Sequence, residues 1–369
     1  MSSSPTTALS RRPLMEVFEQ VPDPRDPRGV RHALPTVLTL AQTAVLAGAR
    51  TLLAIAEWTQ DADRDMLSRI GIDPDQALPS ESTLRRTLAL LDANDLDARL
   101  AGWMATRVGH LAGRRVIAVD GKTMRGARTT AGAPHLVAAF DQTAGAVLGQ
   151  LAVASKSNEI PALRDLLDSM DITDAVITAD AMHCQRETAS HITGRGGHYA
   201  LTVKANQPTL RAACKALPWH DVPAVTTTDT SHGRRVRRTI KAVQVPDWID
   251  FPGAAQIIQL RRTRTIKGRK TIEVVYVICS LDMIAAPAAT VATWIQGHWA
   301  VENALHWVRD VVFDEDRHQL RTGNGPQVMA TLRNTTISLL RLAGHTKIAT
   351  ALRHHGRSTS RPIDLLLTA

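Results

Sequence analysis

Four polar residues recur at steps of three and four, and their types could carry out metal or phosphate chemistry. His298, Glu302, His306 and Arg309 lie in a stretch, 298–318, that contains no Gly or Pro. In an α-helix this spacing places the four side chains on one face. Three interpretations are open at this point: a solvated polar face, a zinc site with His-x3-Glu-x3-His spacing, or part of a carboxylate set with other members upstream.

Two aspartates far upstream could complete such a carboxylate set. Residues 116–121 are an apolar, β-branched run in which Asp120 precedes Gly121, and Asp180 ends a similar run that begins at residue 176. Neighbouring strands of one sheet can bring two such acids within a few ångströms, where they would repel each other unless a cation lies between them. The alternative for each aspartate alone is a turn cap.

Three acids would be enough for two-metal chemistry. Carboxylate oxygens suit Mg²⁺ or Mn²⁺. Two ions about 3.5–4 Å apart can activate a water or a 3′-hydroxyl and stabilise the leaving oxygen of a phosphodiester. Two ions usually need a third carboxylate, and Glu302 is the candidate to join Asp120 and Asp180 as a metal ligand. A zinc site at His298 and His306 would leave both strand-end acids unexplained.

Local patterns predict the elements that position these acids. Residues 14–112 are predicted to be all-helical apart from a proline-punctuated turn at 23–32, with one continuous helix at 53–70, and helices are also predicted at 158–170 and 184–193. Strands are predicted at 116–121, 135–140, 146–154, 176–181 and 198–204, which gives the order β-β-β-α-β-α-β. Three further strands are predicted within residues 205–290, at 235–245, 255–265 and 271–281, and helix returns after residue 290.

Composition excludes several classes of protein. The chain of 369 residues is 44% hydrophobic, which is enough for a sizeable core and for two or three domains. The three cysteines are far apart, which argues against a disulfide framework and suits a reducing cytosol. The most apolar segment, 36–56, is interrupted by Gln42 and Arg50, so no membrane span is expected.

The positive charge is concentrated in one segment. The net charge is +9, and residues 204–273 contain fourteen Lys and Arg against five Asp and Glu. A basic segment inside an otherwise balanced chain indicates a polyanionic partner, because binding to phosphates releases counterions. The alternative is a solvated basic surface.

Five motifs together resemble one family of enzymes. They are Val-Asp-Gly-Lys-Thr-Met-Arg-Gly-Ala at 119–127, Ser-Asn-Glu-Ile at 157–160, Ala-Asp-Ala-Met-His-Cys-Gln at 179–185, Tyr-Ala-Leu-Thr-Val-Lys-Ala-Asn-Gln at 199–207 and the helical stretch at 297–316. They resemble bacterial insertion-sequence transposases of the DDE, RNase H-like superfamily. Residues 22–50 resemble the helical transposase-associated domain of one group within it.

The resemblance implies a fold and a domain organisation. The implied fold class is α/β: an RNase H-like catalytic core, with a mixed five-stranded sheet and helices, interrupted by a β-rich insertion and preceded by an all-helical domain. We predict a disordered lead at 1–13, a helical transposase-associated and DNA-binding domain at 14–112, a catalytic domain at 113–204 plus 291–345, a basic β-rich insertion at 205–290 and a C-terminal tail at 346–369.

The resemblance also implies a reaction and its residues. Asp120, Asp180 and Glu302 match the catalytic triad and would hold Mg²⁺ or Mn²⁺ as two ions. The Tyr, Arg and Lys that the wider group carries around the glutamate are replaced here by Ile295, His298 and Arg309, which leaves open how the phosphate near the scissile bond is held. The residues expected to contact DNA phosphate are Lys122, Arg125, His298, His306 and Arg309, with surface charge as the alternative for Lys122 and Arg125.

The predicted function is that of a DNA transposase that cuts and joins strands at the ends of its own insertion sequence. Double-stranded DNA, at the element ends and at the target, is the expected partner, and a homodimer or higher oligomer is expected to bring two ends together. We expect a cytoplasmic, nucleoid-associated bacterial protein without membrane contact. The alternatives are a catalytically inactive DNA-binding descendant and an RNase H-like nuclease that cuts without joining.

Overall fold

Nine strands form a single sheet within the described residues. The computed structural model describes residues 13–109, 113–154, 157–231 and 233–368, so the predicted lead at 1–13 lies almost wholly outside the described residues. The strands are β1 (Val116–Thr123), β2 (His135–Asp141), β3 (Ala146–Ala152), β4 (Val176–Ala179), β5 (His198–Val203), β6 (Val225–Ser231), β7 (Arg234–Gln244), β8 (Gln256–Ile266) and β9 (Arg269–Cys279).

The first five strands confirm the predicted order of elements, with Asp120 within β1 and Asp180 directly after β4. They lie in the sheet as β3-β2-β1-β4-β5. β1, β4 and β5 are parallel to one another, whereas β2 and β3 are antiparallel to their neighbours. The parallel strands are buried, β-branched runs, as expected for strands covered on both faces. Helix α7 (Glu159–Asp168) crosses from β3 to β4, and helix α8 (Arg186–Gly194) connects β4 to β5.

The insertion strands continue the same sheet rather than forming a separate one. β9 pairs antiparallel with β5, and β8, β7 and β6 follow outward. The described residues of 205–290 contain four strands instead of the predicted three, plus helix α9 (Pro208–Ala216). β6 was missed because its Thr-rich sequence has no apolar alternation. The mixed α/β class is confirmed, but the sheet has nine strands instead of five.

The N-terminal part is helical, as predicted. Its helices are α1 (Leu14–Glu19), α2 (Leu34–Leu46), α3 (Leu52–Gln60), α4 (Arg64–Arg69), α5 (Glu81–Leu90) and α6 (Ala93–Val108). The single helix expected over residues 53–70 is two helices. The break occurs because the Asp63 side chain caps α4 and accepts a hydrogen bond of 2.8 Å from the Met66 backbone N–H.

Helices near the C-terminus complete the fold. They are α10 (Ala288–Val301), continued by two π-helical segments (Glu302–His306 and Val308–Val312), then α11 (Gly325–Leu342), α12 (Ile348–His355) and α13 (Ser360–Thr368). The predicted tail is therefore helical, and it packs into the core because Ile363 and Leu366 are fully buried. No helix among the described residues has the length and apolar character needed to cross a membrane.

The N-terminal helices share one hydrophobic core with the sheet. A continuous apolar cluster includes residues of α2, β1 and α11. Polar contacts cross the same boundary: Thr331 Oγ1 donates to Asp97 at 2.5 Å, and Gln42 Nε2 donates to Thr336 Oγ1 at 2.8 Å. The predicted division into domains stays a prediction, but its first two parts pack together along α11.

Candidate active site

Two aspartates lie side by side where the parallel pairing of β1 and β4 ends, although Asp120 lies within β1, which continues to Thr123 paired with β2, and not at the strand end that was expected. β1 and β4 are in register at Val119 and Ala179, so the next residue of each chain segment, Asp120 and Asp180, reaches the same edge of the sheet. Neighbouring strands are about 4.8 Å apart, which sets the spacing of the two backbones. Because alternate side chains point to opposite faces, both aspartates lie on the face that α10 covers.

The helix that follows the insertion contacts both aspartates through histidines. His298 Nε2 lies 3.8 Å from Asp180 Oδ1, and His306 Nδ1 lies 3.4 Å from Asp120 Oδ2. Thr178, one step before the β4 edge, also lies close to His298, with 3.3 Å between Oγ1 and Nδ1. Of the polar face predicted from residue spacing, His298 and His306 are therefore turned towards the aspartates.

Glu302 stands between the two histidines on this helix. It is four residues from His298 and four from His306, and its side chain is exposed. The backbone becomes π-helical at Glu302, where hydrogen bonds join residues five apart instead of four. π-Helical turns are rare and are frequently found at functional sites. A simple α-helix was expected here, because residue periodicity does not distinguish the two forms.

The donor atoms fit a divalent cation, although a complete ligand set is not assembled. Asp120 and Asp180 supply hard oxygen ligands, which Mg²⁺ and Mn²⁺ prefer. Among the described residues, no three His, Cys, Asp or Glu side chains are close enough together to hold an ion. The two aspartates are thus the assembled part of the site, and the exposed Glu302 is the carboxylate nearest along the helix that contacts them.

The two aspartates have opposite pKa shifts. Burial raises the pKa of Asp120, and the negative charge of Asp180 adds to that effect against the opposing influence of His298. The His298 imidazole beside Asp180 lowers the pKa of that carboxyl. Ionisation of Asp120 is therefore unfavourable without a bound cation, and a cation at this position would stabilise the charged carboxylate.

A fourth acid, Glu159, approaches Asp120 from the other face of the sheet. Its carboxylate is 2.8 Å from His135 Nε2 and 3.4 Å from the fully buried His183. The hydrogen bond to His135 is the main cause that lowers the pKa of Glu159 to about 2. The sequence contained a signal for this position, because Glu159 follows Asn158, which caps α7, but its proximity to Asp120 required the crossover geometry.

Gly121, next to Asp120, leaves the space that Glu159 occupies. A Cβ at position 121 would lie 2.5 Å from the Glu159 carboxylate and 2.6 Å from His135 Nε2. We therefore expect Gly121→Ala to separate Glu159 from His135 and to lower the free energy of unfolding by about 1.5–3 kcal/mol, the range for a charged hydrogen bond. Denaturant unfolding measures this change.

Two variants make the Gly121 test specific. Gly102→Ala is the matched control, because Gly102 lies in α6 with nothing within 4 Å of an added Cβ, and it should be neutral or slightly stabilising. In a double-mutant cycle, Gly121→Ala should lower the free energy of unfolding much less when Glu159→Ala is already present. Additive effects of these two changes would show that the Glu159 contact is not what Gly121 protects.

The cationic residues after the first aspartate have different environments. Lys122 is 7% exposed and forms an ion pair with Asp310, with Asp316 4.0 Å away. Arg125 has a side chain that is 77% exposed and lies 3.9 Å from Asp316. Arg125 is thus accessible to a phosphate, whereas Lys122 is already engaged in tying β1 to the end of the π-helical segment.

Arg309 does not fit the DNA contact expected of it. Its side chain is fully buried, donates to both carboxylate oxygens of Glu315 at 2.7–3.1 Å, and donates to Gln150 at 3.2 Å. Arg333 binds the same glutamate at 2.8 Å. The spacing argument assigned Arg309 to the polar face, but each π-turn adds a residue and changes which side chains face the strand ends.

The two histidines are also poorly placed for an ionic contact with phosphate. His298 and His306 are 7% and 8% exposed. Burial lowers the pKa of His306 to about 3, with Arg309 and Lys122 adding to the effect, so His306 is neutral at physiological pH. A neutral imidazole beside Asp120 can orient that carboxylate, which is the role its position supports.

Comparison with known protein families gives two matches that together cover most of the chain. Residues 111–339 match the family described as "Transposase DDE domain". Residues 15–104 match the family described as "DDE_Tnp_1-associated". The first match spans both strand-end aspartates, the insertion strands and the helix with Glu302.

Individual relatives cover nearly the whole chain. "Putative transposase YncI" of Escherichia coli O157:H7 is 31% identical over 350 residues, which are 90% of this chain and 88% of the relative. "H repeat-associated putative transposase YhhI" of Escherichia coli strain K12 is 34% identical over 353 residues, 90% of this chain and 91% of the relative. Among solved structures, a piggyBac transposase synaptic complex with hairpin DNA aligns at a TM-score of 0.45 and 11% identity, covering 96% of this chain and 77% of that chain.

Proposed function

This chain belongs to the DDE transposase family, and from that premise we propose that it is a DNA transposase that cleaves and joins DNA strands at the ends of an insertion sequence. The observation that carries the proposal is the pairing of Asp120 and Asp180 at one sheet edge, beneath the helix that bears Glu302. A protein that only bound DNA would have no need for a costly pair of like charges at this edge.

Each residue has a distinct proposed role. Asp120, Asp180 and Glu302 would hold Mg²⁺ or Mn²⁺, which when bound would activate a water or 3′-hydroxyl and stabilise the leaving oxygen. His298 and His306 hold the two aspartate carboxylates in place through the contacts described above. Arg125, exposed next to the site, is the proposed phosphate contact. No covalent bond between protein and DNA is proposed.

The fold suits this role. We propose that the β3-β2-β1-β4-β5 part of the sheet, with α7, α8 and α10, is an RNase H-like core, and that the helices of residues 14–108 contribute to DNA binding. The proposed substrates are double-stranded DNA at the element ends and at the target. An assembly of two or more chains is proposed to hold two ends together.

The proposal is tested with DNA that carries the sequences flanking the gene. Purified protein with Mg²⁺ or Mn²⁺ is expected to release 3′-hydroxyl ends at the element termini and to join them to a second duplex. Chelation of divalent cations should abolish both products, because the bound cation is the proposed activator of the water and of the 3′-hydroxyl. Denaturing gels of end-labelled DNA detect both products.

The two alternatives predict different products. An inactive DNA-binding descendant would retain the DNA without metal-dependent cleavage, which would refute the proposed reaction. A nuclease on the same fold would give cleaved ends that never join, even when the 3′-hydroxyl is supplied on pre-cut DNA. Joining of pre-cut DNA separates these outcomes in one assay.

A further inference from the structure

The insertion strands project past the edge of the sheet at which the aspartates lie. β5 ends at Val203, which pairs with Tyr276, and the preceding seven residues of β9 run beyond that end. Seven residues of strand span about 23 Å. We call this projecting part the arm, and its strand segments are 225–231, 234–240, 260–266 and 269–275.

The two faces of the arm differ in what they contact. One face continues the side covered by α10: Ile240 and Val275 pack in a cluster with Ile295 of α10, and Arg262 lies over the Trp299 ring at 5.1 Å. Asp120 and Asp180 lie on this same side of the sheet. The opposite side of the arm, which we call the far face, points away from the candidate active site.

The far face carries cations without acids. The strand register places Arg235 opposite Thr265, Arg237 opposite Thr263, Thr239 opposite Arg261, and Lys270 beside Thr265. Strand alternation then puts these seven side chains on one surface. The described arm residues include two acids, Asp229 and Glu273, and the register places both on the α10 side.

The far face is also shaped as a shallow groove. The same seven residues line a hollow of about 380 Å³. Threonine hydroxyls lie between the arginines, and each can donate a hydrogen bond to a phosphate oxygen. Clustered arginines without acidic partners repel one another, so a polyanion in the groove would relieve that repulsion.

We propose that the far face of the arm binds the backbone of a second DNA duplex segment, separate from the DNA at the aspartates. The charge of the groove and the alternating Arg and Thr donors fit phosphodiesters, and the contacts would be independent of base sequence. The separation follows from geometry, because the sheet itself lies between the far face and the acids. The inference rests on the proposed function, which requires two DNA segments, an element end and a target.

The main test removes three far-face arginines at once. For Arg235→Ala with Arg237→Ala and Arg261→Ala, we expect binding of a labelled duplex of arbitrary sequence, measured by fluorescence anisotropy with chelator present, to weaken at least about tenfold at about 0.1 M salt. The slope of log affinity against log salt should fall by about 2.7, since each lost phosphate contact removes about 0.9. The matched control for total charge is Arg353→Ala with Arg357→Ala and Arg361→Ala, near the C-terminus.

Cleavage and joining assays then test whether the DNA bound at the far face is separate from the DNA at the aspartates. Cleavage of element-end DNA by the far-face variant should remain within about threefold of the wild type, whereas joining to target DNA should fall with binding. Equal loss of cleavage and joining would place the far face on the same DNA path and overturn the proposal. The proposal would also be overturned if the slope of log affinity against log salt were the same as in the wild type, or if the control variant lowered it equally.

A second variant guards against misfolding of the triple variant. Thr263→Glu places one negative charge in the centre of the groove and should weaken duplex binding, whereas Ser358→Glu, remote from the arm, should not. Because the anisotropy measurement needs neither metal nor catalysis, its result does not depend on whether the protein carries out the proposed reaction. Duplex binding that depends on the far face would survive a failure to detect cleavage.

Discussion

Asp120→Asn is expected to lower metal-dependent cleavage and joining by about a thousandfold or more while leaving the fold intact. Metal-assisted charge stabilisation contributes several kcal/mol to the transition state, and each 1.4 kcal/mol is a factor of ten in rate. The substitution keeps the shape of the side chain, and an amide oxygen can still accept the hydrogen bond of 2.9 Å from the Gly121 backbone N–H.

Stability should change in the opposite direction for this variant. Because burial and Asp180 raise the pKa of Asp120, its ionised form opposes folding at neutral pH, and the neutral amide removes that opposition. We therefore expect an unchanged or higher melting temperature at pH 7 together with lost activity. Duplex binding in the presence of chelator should be retained or strengthened, since one negative charge is gone.

A matched control separates the site from general effects of charge. Asp174→Asn removes an exposed carboxylate near the start of β4, away from the edge that bears Asp180, and Asn tolerates its positive φ of 55°. It should leave cleavage unchanged. Retention of activity in Asp120→Asn, or an equal loss in Asp174→Asn, would contradict the assignment of Asp120 to the catalytic set.

Glu315→Gln is expected to lower the free energy of unfolding by about 3–5 kcal/mol, the range for breaking a buried ion pair. Glu315 is 2% exposed and lies between the guanidinium groups of Arg309 and Arg333, which are themselves fully or almost fully buried. Glutamine keeps the shape but leaves two buried cations without a counter-charge. Chemical denaturation at pH 7 measures the loss.

The same cluster predicts lower stability in acid. Burial opposes ionisation of Glu315, but the two arginines outweigh it and lower its pKa to about 2, against 4.5 ordinarily. A folded-state pKa below that of the unfolded chain stabilises the fold above about pH 4.5, and this contribution is lost as pH falls towards 2. Glu315→Gln should therefore flatten the dependence of stability on pH in that window.

An exposed ion pair supplies the control for Glu315. Arg262 and Glu273 are paired on the arm with side chains 39% and 48% exposed. Glu273→Gln should lower the free energy of unfolding by about 1 kcal/mol or less, because ion pairs on the surface are screened by water. Equal destabilisation by the two glutamate substitutions would show that the buried cluster does not anchor the fold. The cluster joins the π-helical segment to α11, so Glu315→Gln should also impair cleavage.

Local pattern was enough to predict the elements that carry the acids. The five core strands are mostly buried, and the β-branched runs of β1 and β4 that lead to Asp120 and Asp180 could be predicted because burial on both faces leaves a continuous apolar stretch. β6 was not predictable in this way, since it is polar on both faces and is held in the sheet by pairing with β7. Helical residues 53–70 were predicted as one helix because the Asp63 cap interrupts a pattern that otherwise persists.

The candidate site shows the same division between local and tertiary information. Residue types and spacing predicted Asp120, Asp180 and Glu302 as one set, because chemistry limits which side chains can hold a divalent cation, and the structure brings the first two together. Spacing alone could not tell that Arg309 is buried against Glu315. That outcome depends on the π-helical backbone and on Arg333, which is 24 residues further along the chain.

The sequence by itself was enough to predict the two aspartates as candidate ligands, the apolar strands that lead to them and the excess of positive charge in the insertion. These features depend on residue type and local periodicity. Only the tertiary structure decided which residues meet. Strand pairing aligned Asp120 with Asp180, the α7 crossover brought Glu159 to Gly121, and the strand register separated the cations of the arm onto two faces. These contacts join residues distant in sequence, and their geometry is set by register and packing.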